Sequence, residues 1–361
     1  MTIHDNHQRR RLGIWLSVCC VMIFCMVVLG GVTRLTQSGL SMVEWSPIMG
    51  VIPPLSAEQW EATFEKYQQF PEYQHINKDM DMDGFKRIFW VEYTHRILGR
   101  LIGFVFLVPF LLFLLTRKID RGLLPKLVFL FVLGALQGLL GWYMVKSGLV
   151  NEPHVSQYRL TAHLILAVFI YVFMLWVILD LFTDHRLPLI DRPVAGLKVY
   201  GVLVTGAIAL MIISGGFVAG TKAGFVFNTF PTMNGQWVPD GVWALTPGWR
   251  NLFENVVTVQ FTHRSVAAVL CILIPVFCLA VLRRGGGGRV QAGALLLLLM
   301  LVMQVGLGIV TLLYRVPVLL GAAHQAGALL LISASVFTTH ALFRASRSAK
   351  HHGMRLSDSM A

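Results

Sequence analysis

Apolar positions run almost unbroken through eight stretches of this chain, near 12–32, 88–116, 125–145, 158–182, 199–219, 256–282, 291–314 and 319–343. Polar positions crowd into the segments between them. Each stretch supplies the about 20 residues that a helix needs to cross a bilayer. Inside lipid a backbone must satisfy its own hydrogen bonds, and a helix does so. The pattern predicts an all-α integral membrane protein with eight transmembrane helices. The first run follows "HQRRR" and carries no small-residue cleavage pattern, so it reads as a retained helix and not a removed leader.

Charge then orients the spans. Arg9, Arg10 and Arg11 precede the first; Arg117, Lys118, Arg121 and Lys126 join the second to the third. Arg283, Arg284 and Arg289 join the sixth to the seventh, and Arg344, Arg347 and Lys350 follow the eighth. All of these fall on one side, which the positive-inside rule makes cytoplasmic, together with both termini. The other side receives a long first loop with Glu58, Glu61, Glu65, Glu72, Asp79, Asp81 and Asp83. A net charge of +12 is accounted for by this topology signal, so nucleic acid is not expected as a partner. Composition agrees: 56% of residues are hydrophobic and 13% charged, against about 25% charged in a soluble domain. The five cysteines, Cys19, Cys20, Cys25, Cys271 and Cys278, lie inside apolar spans and read as small buried packing residues, with no disulfide framework.

The two halves repeat. "VEYTHRILGR" at Val91 is answered by "VQFTHRSVAA" at Val259, a shift of 168 from His95 to His263. Gln137 and Gln304 are 167 apart, and His163 and His324 are 161 apart. "VLGGVTRLTQSG" at Val28 resembles "ISGGFVAGTKAG" at Ile213. Four spans per half give both units one orientation, hence two tandem four-helix bundles related by a pseudo-two-fold axis along the membrane normal. The expected boundaries are 1–11 for an N-terminal tail, 12–182 for the first bundle, 183–198 for a cytoplasmic linker, 199–343 for the second bundle and 344–361 for a tail.

His95, His163, His263 and His324 begin the even-numbered spans, all running from outside to inside, so they share a depth near the outer surface. Two imidazoles facing each other across a four-helix bundle suit the axial positions of one porphyrin iron. Arg96 and Arg264 follow the first member of each pair and could bind a porphyrin propionate or reach lipid phosphate. Arg34 and Lys222 open equivalent outer loops and could rim each pocket or anchor the interface. Gln137 and Gln304, beside glycines, read as interhelical hydrogen-bonding residues. Glu92 shares a helix face with His95, whereas its counterpart is Gln260. A carboxylate inside a span is expected to be functional, and its burial favours an acid form suited to proton transfer.

Taken together, "GGVTRLTQSGLSMVEWSPIMGVIPP", "EYTHRILGR", "LTAHL", "GGFVAGTKAGFVFNTFPTMNG", "QFTHR" and "AAHQAGA" resemble the heme A synthase family from about Leu12 to Phe343. The resemblance implies an oxidoreductase that converts the C8 methyl of heme O to the formyl group of heme A for cytochrome oxidase. It implies heme b as a bound cofactor on His263 and His324, heme O as substrate at His95 and His163, and a catalytic role for Glu92. The expected setting is a bacterial inner membrane, with the heme sites toward the periplasmic side. Expected partners are the bilayer, a prenyltransferase that makes heme O, cytochrome oxidase assembly factors and a further copy of the chain. Some family members carry a cysteine pair in the first outer loop; this chain has none there. Two other readings stay open at this point, a di-heme membrane cytochrome fed by quinol and a heme exporter or chaperone. Glu92 opposite Gln260 weighs against the first, since a pure carrier has no need of one unmatched buried acid.

Overall fold

A computed structural model describes residues 3–43, 52–148, 155–183, 195–284 and 288–358, with side chains described for 6–43, 52–146, 155–183, 195–284 and 288–344. Eight long apolar helices stand among the described residues: α1 (Ile3–Leu35), α4 (Met82–Leu115), α5 (Leu124–Gly148), α6 (Gln157–Phe182), α7 (Ala195–Gly220), α9 (Val256–Arg283), α10 (Gly288–Leu313) and α11 (Val318–Asp358). Short helices α2 (Ala57–Gln68), α3 (Pro71–His75) and α8 (Asn251–Glu254) belong to the connections on one side. No β-sheet occurs among the described residues. The outward faces are apolar, as with Phe104, Leu115 and Leu319, which inverts the soluble pattern and suits a lipid solvent.

Helix adjacency has the same form in both halves. In the first, α1 and α5 each pack between α4 and α6; in the second, α7 and α10 each pack between α9 and α11. The diagonal partners α4 and α6, like α9 and α11, share no extensive contact. Across the halves α1 meets α11, α7 meets α6, and α6 meets α11 between them. This exchange pattern is compatible with a pseudo-two-fold axis. It leaves the histidine-bearing helices facing each other across each bundle.

Several expected boundaries move. Helix α1 begins at Ile3, so most of the expected tail 1–11 is helical. The expected tail after 343 continues as helix to Asp358, because no proline or glycine-rich stop interrupts α11 at its exit. Of the expected linker 183–198, residues 184–194 lie outside the described residues, and α7 already begins at Ala195. The glycine turn at 285–287 also lies outside them. Helix α4 starts at Met82, ahead of the expected 88, because Asp81 caps it by accepting from the Gly84 N–H at 2.8 Å. The added turns carry Phe85 under the first loop, in line with Phe89 at the start of the expected span.

From 52 onward that loop carries helices of its own. Ser56 and Gln59 form a capping box that starts α2. Trp60, Phe64 and Tyr67 then face inward on one side of α2 and join Phe85, Ile88 and Phe89 in a separate aromatic cluster, with Met42 and Tyr73 at its margin. The acidic residues Glu58, Glu61 and Glu65 point away from it into solvent.

At the opposite end of the molecule the basic segments converge. Asp180 of α6 receives Arg344, His340 at 3.0 Å and Lys126 at 3.3 Å, while Arg9 donates to its backbone carbonyl at 2.8 Å. One acid thus ties α1, α5, α6 and α11 together. Cys19, Cys20 and Cys278 are buried packing residues as expected; Cys25 and Cys271 are exposed on outward helix faces, since a thiol is apolar enough to face lipid.

Candidate functional site

The doublet Gly30-Gly31 in α1 and its counterpart Gly215-Gly216 in α7 explain how the histidine helices approach. A Cβ on Gly30 would sit 3.3 Å from His95 Cε1, and one on Gly215 would sit 3.4 Å from His263 Cε1. The second glycine of each doublet admits the other half: Gly31 abuts Gln325 of α11, and Gly216 abuts Thr161 of α6. The remaining histidines have the same arrangement. Gly141 of α5 would bring a Cβ to 3.1 Å from His163, and Gly308 of α10 to 2.9 Å from His324. Four rings therefore lie in four glycine notches, one on each neighbouring helix.

The rings are half-buried and lie within mutual electrostatic reach, His95 with His163 and His263 with His324. The structure so brings the four predicted histidines into two pairs. Gln137 donates to the His163 carbonyl at 3.1 Å and Gln304 to the His324 carbonyl at 3.0 Å, which fixes the helix pairs as the sequence indicated. Gln137 Nε2 also lies 3.3 Å from His163 Nε2. One difference separates the halves. Ser214 is 2.8 Å from His263 Nδ1, while the corresponding residue before Gly30 is Leu29, and His95 Nδ1 is buried without a partner.

Above each histidine pair a polar brace joins helix to loop. Glu92 is 3% exposed. It accepts from the Ser41 hydroxyl at 2.7 Å, the Met42 N–H at 2.8 Å and Arg96 at 2.5 Å. In the second half Gln260 donates to the Phe227 carbonyl at 2.9 Å, and Arg264 donates to Phe227 at 2.9 Å and Thr229 at 2.9 Å. Met42 and Phe227 occupy corresponding places 185 residues apart, so the same joint is built twice with one titratable member. The sequence marked Glu92 as an acid with no acidic counterpart in the second half; the structure supplies that carboxylate with three donors, one of them cationic, which compensates its burial.

The basic residues offered as pocket partners separate. Arg96 also donates to the Met42 carbonyl at 2.8 Å, and Arg264 is engaged with three loop carbonyls, its Nε remaining buried without a partner. Arg34 crosses between halves to the Ala219 carbonyl at 2.5 Å, near the end of α7, where a cation is favoured by the helix dipole. Lys222 has a left-handed backbone (φ 57°), matching Gln37 (φ 53°) at the same place in the other half. Its side chain has no partner among the described residues. No group of three metal-ligating side chains occurs among them either, and a porphyrin requires only two.

The donor set fits a heme. Imidazoles stand in pairs on diagonal helices, and the Nδ1 atoms of His95, His163 and His324 are buried without a protein partner. Fold and site together define a helical membrane protein with two imidazole pairs suited to porphyrin iron. Residues 13–336 match the COX15-CtaA family model, described as cytochrome oxidase assembly protein, and the chain belongs to this family. It is 52% identical over 336 residues to a heme A synthase of Nitrosospira multiformis, covering 93% of this chain and 94% of that one. It is 50% identical to a heme A synthase of Nitrosomonas eutropha, covering 94% and 95%, and 45% identical to one of Parvibaculum lavamentivorans, covering 93% and 95%.

Proposed function

We propose that this chain is a heme A synthase, an oxidoreductase that converts the C8 methyl group of heme O to the formyl group of heme A for cytochrome oxidase. The observation that carries this reading is a histidine site built twice with a carboxylate in only one copy. The near full-length identity to relatives of that name supports it.

In this reading the half from 12 to 182 would receive heme O at His95 and His163, and in the half from 199 to 343 His263 and His324 would hold heme b. The Ser214 hydroxyl at His263 Nδ1 supports the assignment: a hydrogen bond to one ring nitrogen fixes the imidazole's orientation, which would suit a resident cofactor. His95, with Leu29 in that place, is freer to yield to an entering and leaving substrate. Bound heme supplies the redox chemistry. The chain's own work is to orient the ring, exclude water and move protons. Glu92 would hold and pass on a proton released in the oxidation, and Arg96 pairs with it. Lys222 is the basic residue with side-chain donors open to a propionate, whereas Arg34, Arg96 and Arg264 mainly lock loops and helix ends. The bundle lies in a bacterial inner membrane, with both termini and the linker cytoplasmic and the heme pockets toward the periplasmic side. A heme O-producing prenyltransferase, cytochrome oxidase assembly factors and a second copy of the chain are the partners this role calls for.

Expression beside a source of heme O, followed by pigment extraction, tests the function. Heme A, with hydroxylated heme O as its precursor, is the expected product; heme b alone would favour an electron carrier. Glu92→Gln should retain the heme b spectrum and stop heme A formation. A normal heme A yield from that variant removes Glu92 from the chemistry.

A further inference from the structure

At the end of the bundle away from the histidine pairs, side chains around Asp180 enclose a cavity of about 190 Å³. It lies between α5, α6 and α11 and is lined by Lys126, Trp176, Asp180, His340, Phe343 and Arg344. Nothing in the heme site uses it.

The charge around this cavity is unbalanced. Lys126 and Arg344 each direct a nitrogen at Asp180, Lys126 at 3.3 Å. An ammonium carries three N–H donors and a guanidinium five, so both keep donors beyond the one given to the acid. His340 is 1% exposed; its Nε2 lies 3.0 Å from Asp180 Oδ1, and its Nδ1 is buried without a partner. Further cations stand behind these. Arg9 donates to the Asp180 carbonyl at 2.8 Å, Lys198 lies over the Phe343 ring at 5.2 Å, and Arg289 is within electrostatic reach of Arg344. Among the described residues, Asp180 is the one acid that lines the cavity.

Aromatic rings form the other wall. Trp176 meets Phe343 edge to face with centroids 5.8 Å apart, and meets His340 in the same way at 5.0 Å. Bases beside a tryptophan at the end of membrane helices match the chemistry of a phospholipid. Phosphate oxygens take the spare N–H donors, and the rings cover the glycerol and upper acyl carbons. A free phosphate ion would satisfy the bases but leave the aromatic wall uncovered. A zwitterionic lipid brings its own ammonium to a site where cations are already in excess, so the match is to an anionic headgroup.

We propose that this cavity binds the phosphate of an anionic phospholipid through Lys126, His340 and Arg344. The lipid then fastens α6 of the first half to α11 of the second.

The test uses the purified full chain in detergent, with its helical circular dichroism as the folding control. Native mass spectrometry counts phosphatidylglycerol or phosphatidylcholine bound per chain, with and without added inorganic phosphate. Wild type should hold phosphatidylglycerol at one site in preference to phosphatidylcholine, and inorganic phosphate should not displace it. Lys126 is 42% exposed, so Lys126→Gln removes charge without opening the core. That variant should weaken phosphatidylglycerol binding by about fivefold, the effect of one cation beside a lipid phosphate, and Lys126→Arg should retain it. Arg121→Gln removes an exposed base at the same end but outside the cavity and should leave binding unchanged. Equal retention of phosphatidylcholine by wild type overturns the site. So does unaltered binding in Lys126→Gln, or equal weakening in Arg121→Gln, which would mark diffuse surface charge. Displacement by inorganic phosphate would assign the cavity to a free anion and overturn the lipid.

Discussion

Gly308 and Gly306 lie two residues apart on α10, on nearly opposite faces of the helix, and their surroundings differ. A methyl on Gly308 would meet the His324 ring at 2.9 Å, whereas nothing lies within 4 Å of one on Gly306. Gly308→Ala should therefore shift the heme b absorption spectrum and reduce bound heme, while Gly306→Ala leaves both unchanged; equal behaviour of the two would remove the notch. Ser214→Ala should free the His263 ring and weaken heme retention by about tenfold, measured by competition with a heme-binding apoprotein. The histidines and Glu92 were legible in the sequence, because a polar side chain in an apolar run stands out and the repeat doubled the signal. The glycines opposite them were not. A glycine in a membrane helix reads the same whether it faces lipid, as near Gly134, or an imidazole edge. Glu72, which is buried, was hidden for the converse reason: in a loop with six other acids, nothing local distinguishes the one that turns inward.

At the scale of elements, helix α9 begins at Asn255, whose side chain accepts from the Val257 N–H at 3.0 Å and Thr258 N–H at 3.4 Å. His263 is two turns further along. Asn255→Ala should destabilise the start of α9 by about 1 kcal/mol, seen as earlier thermal loss of the heme b spectrum with normal heme content at low temperature. An unchanged melting profile would mean that tertiary contacts alone hold this end. All eight spans were readable from hydropathy because a bilayer leaves a long apolar run few alternatives. Their ends were less readable. Capping at Asp81 and the aromatic face of α2 lengthen α4 past the apolar run, and the Ser56–Gln59 pair that starts α2 is a local signal overshadowed by the acidic composition around it.

Across the whole molecule the two halves are joined at one end by a single acid. Asp180 is 22% exposed and gathers Lys126, His340 and Arg344 from α5 and α11. Asp180→Asn leaves these bases without their counter-charge. It should lower stability by about 2 kcal/mol, less than the about 3–5 kcal/mol for a fully buried pair, while heme A formation at low temperature continues. Thermal denaturation in detergent with an intact heme b spectrum at the start would verify this. Full stability in that variant would mean that helix packing between α1 and α11 and between α6 and α7 suffices. The sequence by itself determined the membrane class, the number of spans, the repeat and the residue types at its centre, since all four follow from the order of apolar and polar positions. Only the tertiary structure decided which glycine admits each imidazole, which arginine neutralises Glu92 and which loop acid lies buried. Those relations depend on side chains brought together from distant parts of the chain, and a linear pattern contains no term for the distance between them.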